Sequence, residues 1–296
     1  MKLLVTGASG FIGSHLIRAA SKSLGHENVI AFSSTHIDLC SSVVYEGAKF
    51  GLTANDLAVL EGAEVLIHVG AFTPKNRFDA NALEKNNGNI RFTEQLLNLP
   101  MPRLQKIVYA STTDVYAPVE LTTEATPTLP ETLYGWSKLY CEQMVSVFAA
   151  KRSVASQILR LGHVFGPGEE TYAKFLPEAM KRILAGRPVE LWGDGREIRS
   201  FIYVDDAVSA ILASCGLPSS PGPINVVGGR AISVRALLEE LAAISRHSVK
   251  IVEKKQRGDK RNFVFDNSKM RKFLLPTETD LITGLKAEYA HLARIK

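Results

Sequence analysis

The 296-residue chain is long enough for one large domain or two smaller ones, and its 46% hydrophobic and 22% charged residues suit a soluble globular fold. No apolar run reaches the ~18 residues of a membrane span, and Met1 to Gly7 meets a glycine too soon for a signal-peptide core. The scattered Cys40, Cys141 and Cys215 fit neither a disulfide framework nor a zinc site, which predicts a reduced, cytoplasmic protein with no metal; the net charge of +5 suits an anionic small molecule, and no arginine-rich or aromatic-interleaved run points to nucleic acid.

Lys2 to Thr6 reads as a buried strand, followed by Gly7-Ala-Ser-Gly-Phe-Ile-Gly13 and a helix over Ser14 to Ser23. Glycines between a strand and a helix permit positive φ and close backbone approach, and the helix N-terminus offers free N–H groups to a pyrophosphate. The spacing is G-x-x-G-x-x-G. Val29 to Ser33 reads as the second strand. Its end, where an acid often grips the adenosine ribose, carries Ser33-Ser34, which leaves NAD and NADP both open.

Val65 to Gly70 is a further buried strand, and Gly70-Ala71 lets a cofactor pass closely. His68 inside this run reads as a hydrogen-bonded core histidine rather than a ligand or base. Asn86 to Leu97 is helix-like, with Asn89 on a face that turns towards the sheet. Lys106 to Ser111 is a strand running into the hydroxyl-rich Ser111-Thr-Thr-Asp-Val-Tyr116, and ligands of open parallel sheets sit at such carboxyl ends.

A proline-studded loop, Pro118 to Pro130, leads to a helix carrying Tyr134 and Lys138. Four residues apart on a helix, these two share a face. An ammonium beside a phenol is expected to bring its pKa down from about 10 towards working range.

Val154 to Leu161 is strand-like, and Gly162 to Gly168 is expected to break regular structure. A helix from Lys174 to Ala185, a glycine loop from Trp192 to Arg199 and a strand from Ser200 to Val204 follow. Asp205-Asp206 reads as an N-cap rather than an acid/base pair. Asn225 to Gly229 is a strand and turn, and Val234 to Ser245 a helix. Most of the basic stretch Lys250 to Lys272 reads as a solvated face, with Arg261, in a polar turn before an apolar run, as a candidate to meet an anion. Strands alternate with helices to about residue 160 and then become irregular. The pattern predicts an α/β fold: a Rossmann-type doubly wound parallel sheet (residues 1–162 plus about 198–226) with a smaller mixed α/β C-terminal substrate lobe (163–197 and 227–296).

Together these pieces resemble the extended short-chain dehydrogenase/reductase family, in particular its nucleotide-sugar epimerase, dehydratase and reductase branch. The resemblance covers nearly the whole chain. It is carried by Thr6 to Gly13, Leu66-Ile-His68 with Gly70-Ala71, Asn89, Ser111-Thr112, Tyr134 with Lys138, Arg160 with Gly166-Pro-Gly168, Arg199 to Asp206, and Asn225 to Gly228. It implies an NAD or NADP cofactor held by Gly7, Ser9, Gly10, Phe11, Ile12, Gly13, Ser33, Gly70, Ala71, Asn89, Ser111, Tyr134 and Lys138. It implies Tyr134 as the acid/base, Lys138 as the residue that lowers its pKa and holds the nicotinamide ribose, and Thr112 as a hydrogen-bond partner of the reacting oxygen. Arg199 takes the place of an arginine that pairs with the diphosphate of a nucleotide-diphosphate sugar, and Arg261 is a second candidate. The family commonly forms a homodimer through the helix after Asn89 and the helix of Tyr134. Ser33, Gly51 and His163 depart from the common pattern; His163 stands where many members place an asparagine on the nucleotide sugar.

Three reactions share this apparatus. A C4 epimerase is the first expectation and a 4-ketoreductase the alternative. A 4,6-dehydratase needs an Asp-Glu pair after the threonine, where this chain has Thr113-Asp114. A non-catalytic nucleotide-sensing relative is the remaining reading, and it would be expected to lack Tyr134 or Lys138.

Overall fold

The structure is a computed structural model that describes residues 1–33, 42–46, 49–50, 54–172, 174–245, 249–255 and 262–295. Gly51 and Arg261, singled out above, lie outside these residues, as does the side chain of Ser33. In chain order the elements are β1 (Leu3–Thr6), α1 (Phe11–Leu24), β2 (Val29–Ser33), β3 (Ser42–Glu46), β4 (Lys49–Phe50), α2 (Ala54–Glu61), β5 (Val65–His68), α3 (Arg77–Ala80), α4 (Leu83–Leu97), β6 (Lys106–Thr112), α5 (Leu133–Arg152), β7 (Ala155–Leu161) and β8 (His163–Phe165). Then come α6 (Phe175–Leu184), β9 (Val189–Trp192), β10 (Ile198–Tyr203), α7 (Val204–Cys215), β11 (Ile224–Val226), β12 (Ala231–Ser233), α8 (Val234–Ser245), β13 (Ile251–Lys254), α9 (Ser268–Phe273) and α10 (Leu281–Ile295).

The main sheet runs β11-β7-β6-β5-β1-β2-β3-β4. All its pairings are parallel except that of β3 with the two-residue β4. Both faces are covered, which is why the strands read as unbroken apolar runs rather than alternating ones. Leu3 and Val5 of β1 turn into one core with Leu16 and Ile17 of α1 and Ala207 and Ile211 of α7. Leu4 turns into the other, with Leu96 of α4 and Cys141 and Val145 of α5. Strand order reverses between β1 and β5, so a crevice opens at their carboxyl ends, the place where such sheets take ligands.

A third core, built by Leu176 and Met180 of α6, Leu237 and Leu241 of α8, and Leu281 and Leu285 of α10, supports two small sheets, β12-β10-β8 and β13-β9. Here the structure corrects the expectation of an irregular 162–168 segment. His163–Phe165 is a strand in parallel register with Phe201–Tyr203. The break comes only afterwards, where Gly166 (φ 138°) and Gly168 (φ 100°) take conformations that L side chains avoid. The N-cap reading of Asp205-Asp206 is also corrected. Tyr203 caps α7 without a side-chain bond and both acids lie in the first turn. Asp206 accepts from the backbone N–H and hydroxyl of Thr279 at 2.7 and 2.9 Å, tying α7 to the start of α10. Among the described residues no helix is long and apolar enough to cross a membrane.

Candidate active site

The crevice is a cavity of about 620 Å³. One wall is the glycine turn. Gly7 has φ 68°, and a Cβ there would lie 2.6 Å from the Cα of Gly70; a Cβ on Gly13 would lie 1.9 Å from the Gly7 carbonyl oxygen. The turn is therefore packed backbone against backbone, with no room for a side chain at Gly7 or Gly13. Gly10 precedes α1 with no side-chain cap, and no acidic residue stands in the first turn. The free N–H groups and the positive end of the helix dipole thus face the cavity, which suits a pyrophosphate.

Behind this turn a chain of hydrogen bonds fixes the strand ends. The Gly70 N–H donates to the Thr6 hydroxyl at 3.0 Å, which meets His68 Nδ1 at 2.8 Å; His68 Nε2 meets the Thr93 hydroxyl at 3.0 Å, and that hydroxyl donates to the Asn89 carbonyl at 2.9 Å. Every member is satisfied only if the imidazole is neutral, with its proton on Nε2. Burial enforces this, drawing the His68 pKa down to about 3, with the Lys138 charge adding to the effect. His68 is the core histidine the sequence predicted. Asn89 does not line the cavity: its amide accepts from the Phe72 N–H at 2.7 Å and donates to the Phe72 carbonyl at 3.2 Å, so it holds the loop after β5 in place.

The opposite wall is built by β6 and α5. Thr132 caps α5 by accepting from the Gly135 N–H at 3.1 Å, which sets Tyr134 and Lys138 in the first turns facing the sheet. Close contact of the helix with the chain after β6 requires Gly135, where a Cβ would lie 2.4 Å from the Asp114 carbonyl oxygen. Thr112, Asp114, Tyr134 and Lys138 all line the cavity.

The electrostatics correct one expectation. Lys138 does not pull the Tyr134 phenol down. Burial pushes the phenol up, the Asp114 charge adds to this, and hydrogen bonding by the Thr112 and Thr73 side chains works the other way. The Lys138 ammonium is engaged elsewhere, donating to the Ala110 carbonyl at 2.6 Å and lying 4.3 Å from the centre of the Tyr109 ring. Its own pKa is drawn to about 8, mainly by burial, with Cys141 and Glu142 opposing.

The far end of the cavity is closed by the C-terminal half of the chain. Arg199 of β10 lines it, pairing with Glu197 at 3.0 Å and lying over Phe263 at 4.9 Å. His163 also lines it, edge-on to Phe263 with ring centres 5.2 Å apart. Of the residues proposed from sequence, Gly7, Gly10, Phe11, Ile12, Gly13, Gly70, Ala71, Ser111, Thr112, Tyr134, Lys138, His163 and Arg199 meet on this one cavity. Ser9 and Asn89 are not among its lining residues, and the Ser33 side chain and Arg261 fall outside the described residues. The sequence reading missed Thr73 and Lys174. Lys174 lines the cavity and pairs with the buried Glu169 at 3.1 Å; it opens α6 beside a tyrosine, and a cation at a helix start carries no distinctive signal. Among the described residues no group of three or more His, Cys, Asp or Glu is placed to hold a metal.

Comparison with known proteins gives the same picture. A model of the NAD dependent epimerase/dehydratase family matches residues 3–228. The Uncharacterized UDP-glucose epimerase YtcB of Bacillus subtilis (strain 168) is 31% identical, the match covering 100% of this chain and 99% of that protein. Among solved structures, MoeE5 in complex with UDP-glucose and NAD is 26% identical with a TM-score of 0.87, covering 100% of this chain and 99% of that one. The UDP-glucuronic acid 4-epimerase from Bacillus cereus in complex with NAD is 26% identical with a TM-score of 0.84, covering 100% and 97%. Nucleotide-sugar dehydratases are also among the relatives.

Proposed function

The chain belongs to the NAD-dependent epimerase/dehydratase family, and from that premise we propose that it is a nucleotide-sugar epimerase acting at C4 through a keto intermediate. The observation that carries this reading is the meeting, on one cavity, of the glycine turn, the Thr112–Tyr134–Lys138 group and Arg199. NAD, bound in both solved structures named above, fits the turn: the backbone cradle at Gly7, Gly13 and Gly70 leaves no room for a Cβ, and α1 presents uncapped N–H groups. Those residues would hold the dinucleotide, with Lys138 on its ribose, and when bound it accepts and returns a hydride.

The chain's own residues do the rest. Tyr134, as the phenolate, takes the proton of the C4 hydroxyl as the alcohol becomes a ketone, and the phenol so formed gives it back when the ketone is reduced on its other face. Thr112 holds the same oxygen by a hydrogen bond. Lys138, pinned to the Ala110 carbonyl, keeps a positive charge under the site. Arg199 anchors the diphosphate through its planar fork, away from the reacting carbon.

A second reading, a 4-ketoreductase, draws on one observation: burial and Asp114 favour the protonated phenol, the form that donates to a ketone. Dehydration is disfavoured, because Thr113 stands where a second carboxylate is needed.

Incubation with NAD and a panel of UDP- and dTDP-hexoses, followed by chromatography, tests the proposal. Interconversion of C4 epimers with no net change in cofactor absorbance is expected. Stoichiometric consumption of NAD(P)H with a 4-keto sugar would instead establish the reductase. Tyr134→Phe keeps the ring and loses the proton carrier, so turnover should fall by about 10²–10⁴-fold; a near-normal rate would sink the assignment.

A further inference from the structure

Tyr134, Lys138 and Glu142 follow one another at four-residue intervals on the buried face of α5, stacked one turn apart. Proton transfer at a sugar oxygen makes no demand for the third. Glu142 is 2% exposed and makes three close bonds. Arg160 of β7 grips it with both arms, Nε to Oε1 at 3.0 Å and Nη2 to Oε2 at 2.7 Å. The Ser111 hydroxyl donates to Oε1 at 2.5 Å.

The placement of these partners is informative. Ser111 and Arg160 are cross-strand neighbours in the β6–β7 register, and Ser111 immediately precedes Thr112. The Arg160 guanidinium also lies 4.7 Å from the centre of the Tyr116 ring, and the Tyr116 hydroxyl donates to Asn225 Oδ1 of β11 at 2.6 Å. One carboxylate thus ties the helix that bears Tyr134 and Lys138 to the strand end that bears Thr112. A buried ion pair is weak evidence of stabilisation, since well-packed apolar residues serve as well. Its position therefore needs another explanation.

We propose that Glu142 is a positioning residue for the proton-transfer site: clamped by Arg160, its carboxylate fixes the Ser111–Thr112 end of β6 against α5 and keeps negative charge one turn behind Lys138. This rests on reading Tyr134, Lys138 and Thr112 as the acid/base group. The groups around the Lys138 ammonium are the neutral His68 from β5, the Tyr109 ring from β6, and Cys141 and Glu142 from α5 itself, with Arg160 of β7 behind Glu142. Burial pulls the Lys138 pKa down, and Glu142 is one of the few groups holding it up. Removing that carboxylate lets Lys138 lose its proton at lower pH.

The test uses the holoenzyme. Glu142→Gln alone strands a buried guanidinium, so the informative variant is Glu142→Gln with Arg160→Met, which removes both charges together. Thermal unfolding and kcat and KM across pH 6–10 are measured for it, for Glu142→Asp and for Tyr134→Phe. The double variant is expected to fold with KM near normal and kcat down about tenfold to hundredfold, the scale of a ~1 Å misplacement. The alkaline limb of its kcat profile should move to lower pH, because Glu142, and not Arg160, acts on the Lys138 charge. A folded double variant with wild-type kcat and an unmoved limb would make Glu142 a packing residue only and overturn the proposal.

If the double variant does not fold, Glu142→Asp decides. It keeps the charge but is too short to hold Ser111 and Arg160 together, so kcat should fall with the limb in place; an unchanged kcat overturns the proposal. Tyr134→Phe separates the two levels. If it retains turnover, the acid/base reading itself is wrong. If it is inactive while the Glu142 variants behave as wild type, only the positioning role is lost.

Discussion

Glu288 makes the sharpest stability prediction. On α10 the buried stripe of Leu281, Gly284, Leu285 and Leu292 carries this one carboxyl among apolar positions. It is 0% exposed, and among the described residues neither of its oxygens has a hydrogen-bond partner. Burial pushes its pKa up to about 9 from an ordinary 4.5; the charges of Glu169 and Glu170 add to this, while Lys174 and the Gly166 amide pull back without closing a hydrogen bond. The folded chain therefore keeps this proton between pH 4.5 and 9 while the unfolded chain gives it up. Its contribution is fully present below pH 4.5 and is lost as pH rises towards 9. The slope is about 1.4 kcal/mol per pH unit, so at pH 8 the loss is of order 5 kcal/mol as an upper limit. Glu288→Gln resembles the protonated acid but does not titrate. Urea unfolding at several pH values should find the variant close to wild type near pH 5 and progressively more stable above it, the gap widening by about 1 kcal/mol or more per unit. Groups that do not face Glu288 titrate alike in both proteins, so a gap that does not change with pH would refute the reasoning.

Arg199→Ala should raise the KM for the nucleotide sugar by about tenfold to hundredfold, the equivalent of a charge-assisted contact of about 1.5–3 kcal/mol, and leave NAD affinity unchanged in a fluorescence titration; a loss confined to NAD affinity would reassign the arginine. The exposed stripe of Trp136, Tyr140 and Val147 on α5, running beside Leu97 of α4 and Met144, should be buried between two copies of the chain, so sedimentation should show a dimer at micromolar concentration and Val147→Glu should dissociate it; a wild-type monomer would count against this face.

Much of this fold was legible because its local signals and its packing agree. The second strand and the helix Val234–Ser245 coincide with their expected bounds, since the first is a short apolar run after the polar Gly25-His-Glu-Asn28 turn and the second an amphipathic run of good helix formers. The glycine turn was legible for a mechanical reason: a backbone-on-backbone contact such as that of Gly7 with Gly70 admits only glycine. His163–Phe165 was not read as a strand, because three residues flanked by glycines have no periodicity, and their partner β10 lies far along the chain. Thr73 was missed because the loop after β5 is placed by Asn89 bonds to Phe72, a pairing without local signature. Glu142 was hidden for the opposite reason. A glutamate on a helix is ordinary, and only the meeting of β6 with β7 shows that this one is buried.

The direction of the Tyr134 shift shows where sequence spacing stops being informative. Four-residue spacing determines that Tyr134 and Lys138 share a face of α5, and they do. It does not determine which acceptor the ammonium chooses or how much water the phenol loses. Those depend on β6, which offers the Ala110 carbonyl and the Tyr109 ring to Lys138, and on the loop after β5 and the chain after β6, which bring Thr73 and Asp114 to Tyr134. Desolvation of the buried phenol is the largest effect and the Asp114 charge adds to it, so burial wins. The same logic makes the pair tunable from outside the motif. Asp114 raises the phenol by its charge, so Asp114→Asn should lower it and shift the limb of the kcat profile that belongs to Tyr134 to lower pH. That shift should occur with KM little changed, because the substitution conserves shape. If the profile of Asp114→Asn superimposes on that of the wild type, Asp114 does not set the proton affinity of Tyr134, and control of the site lies with burial and the Thr112 and Thr73 hydroxyls.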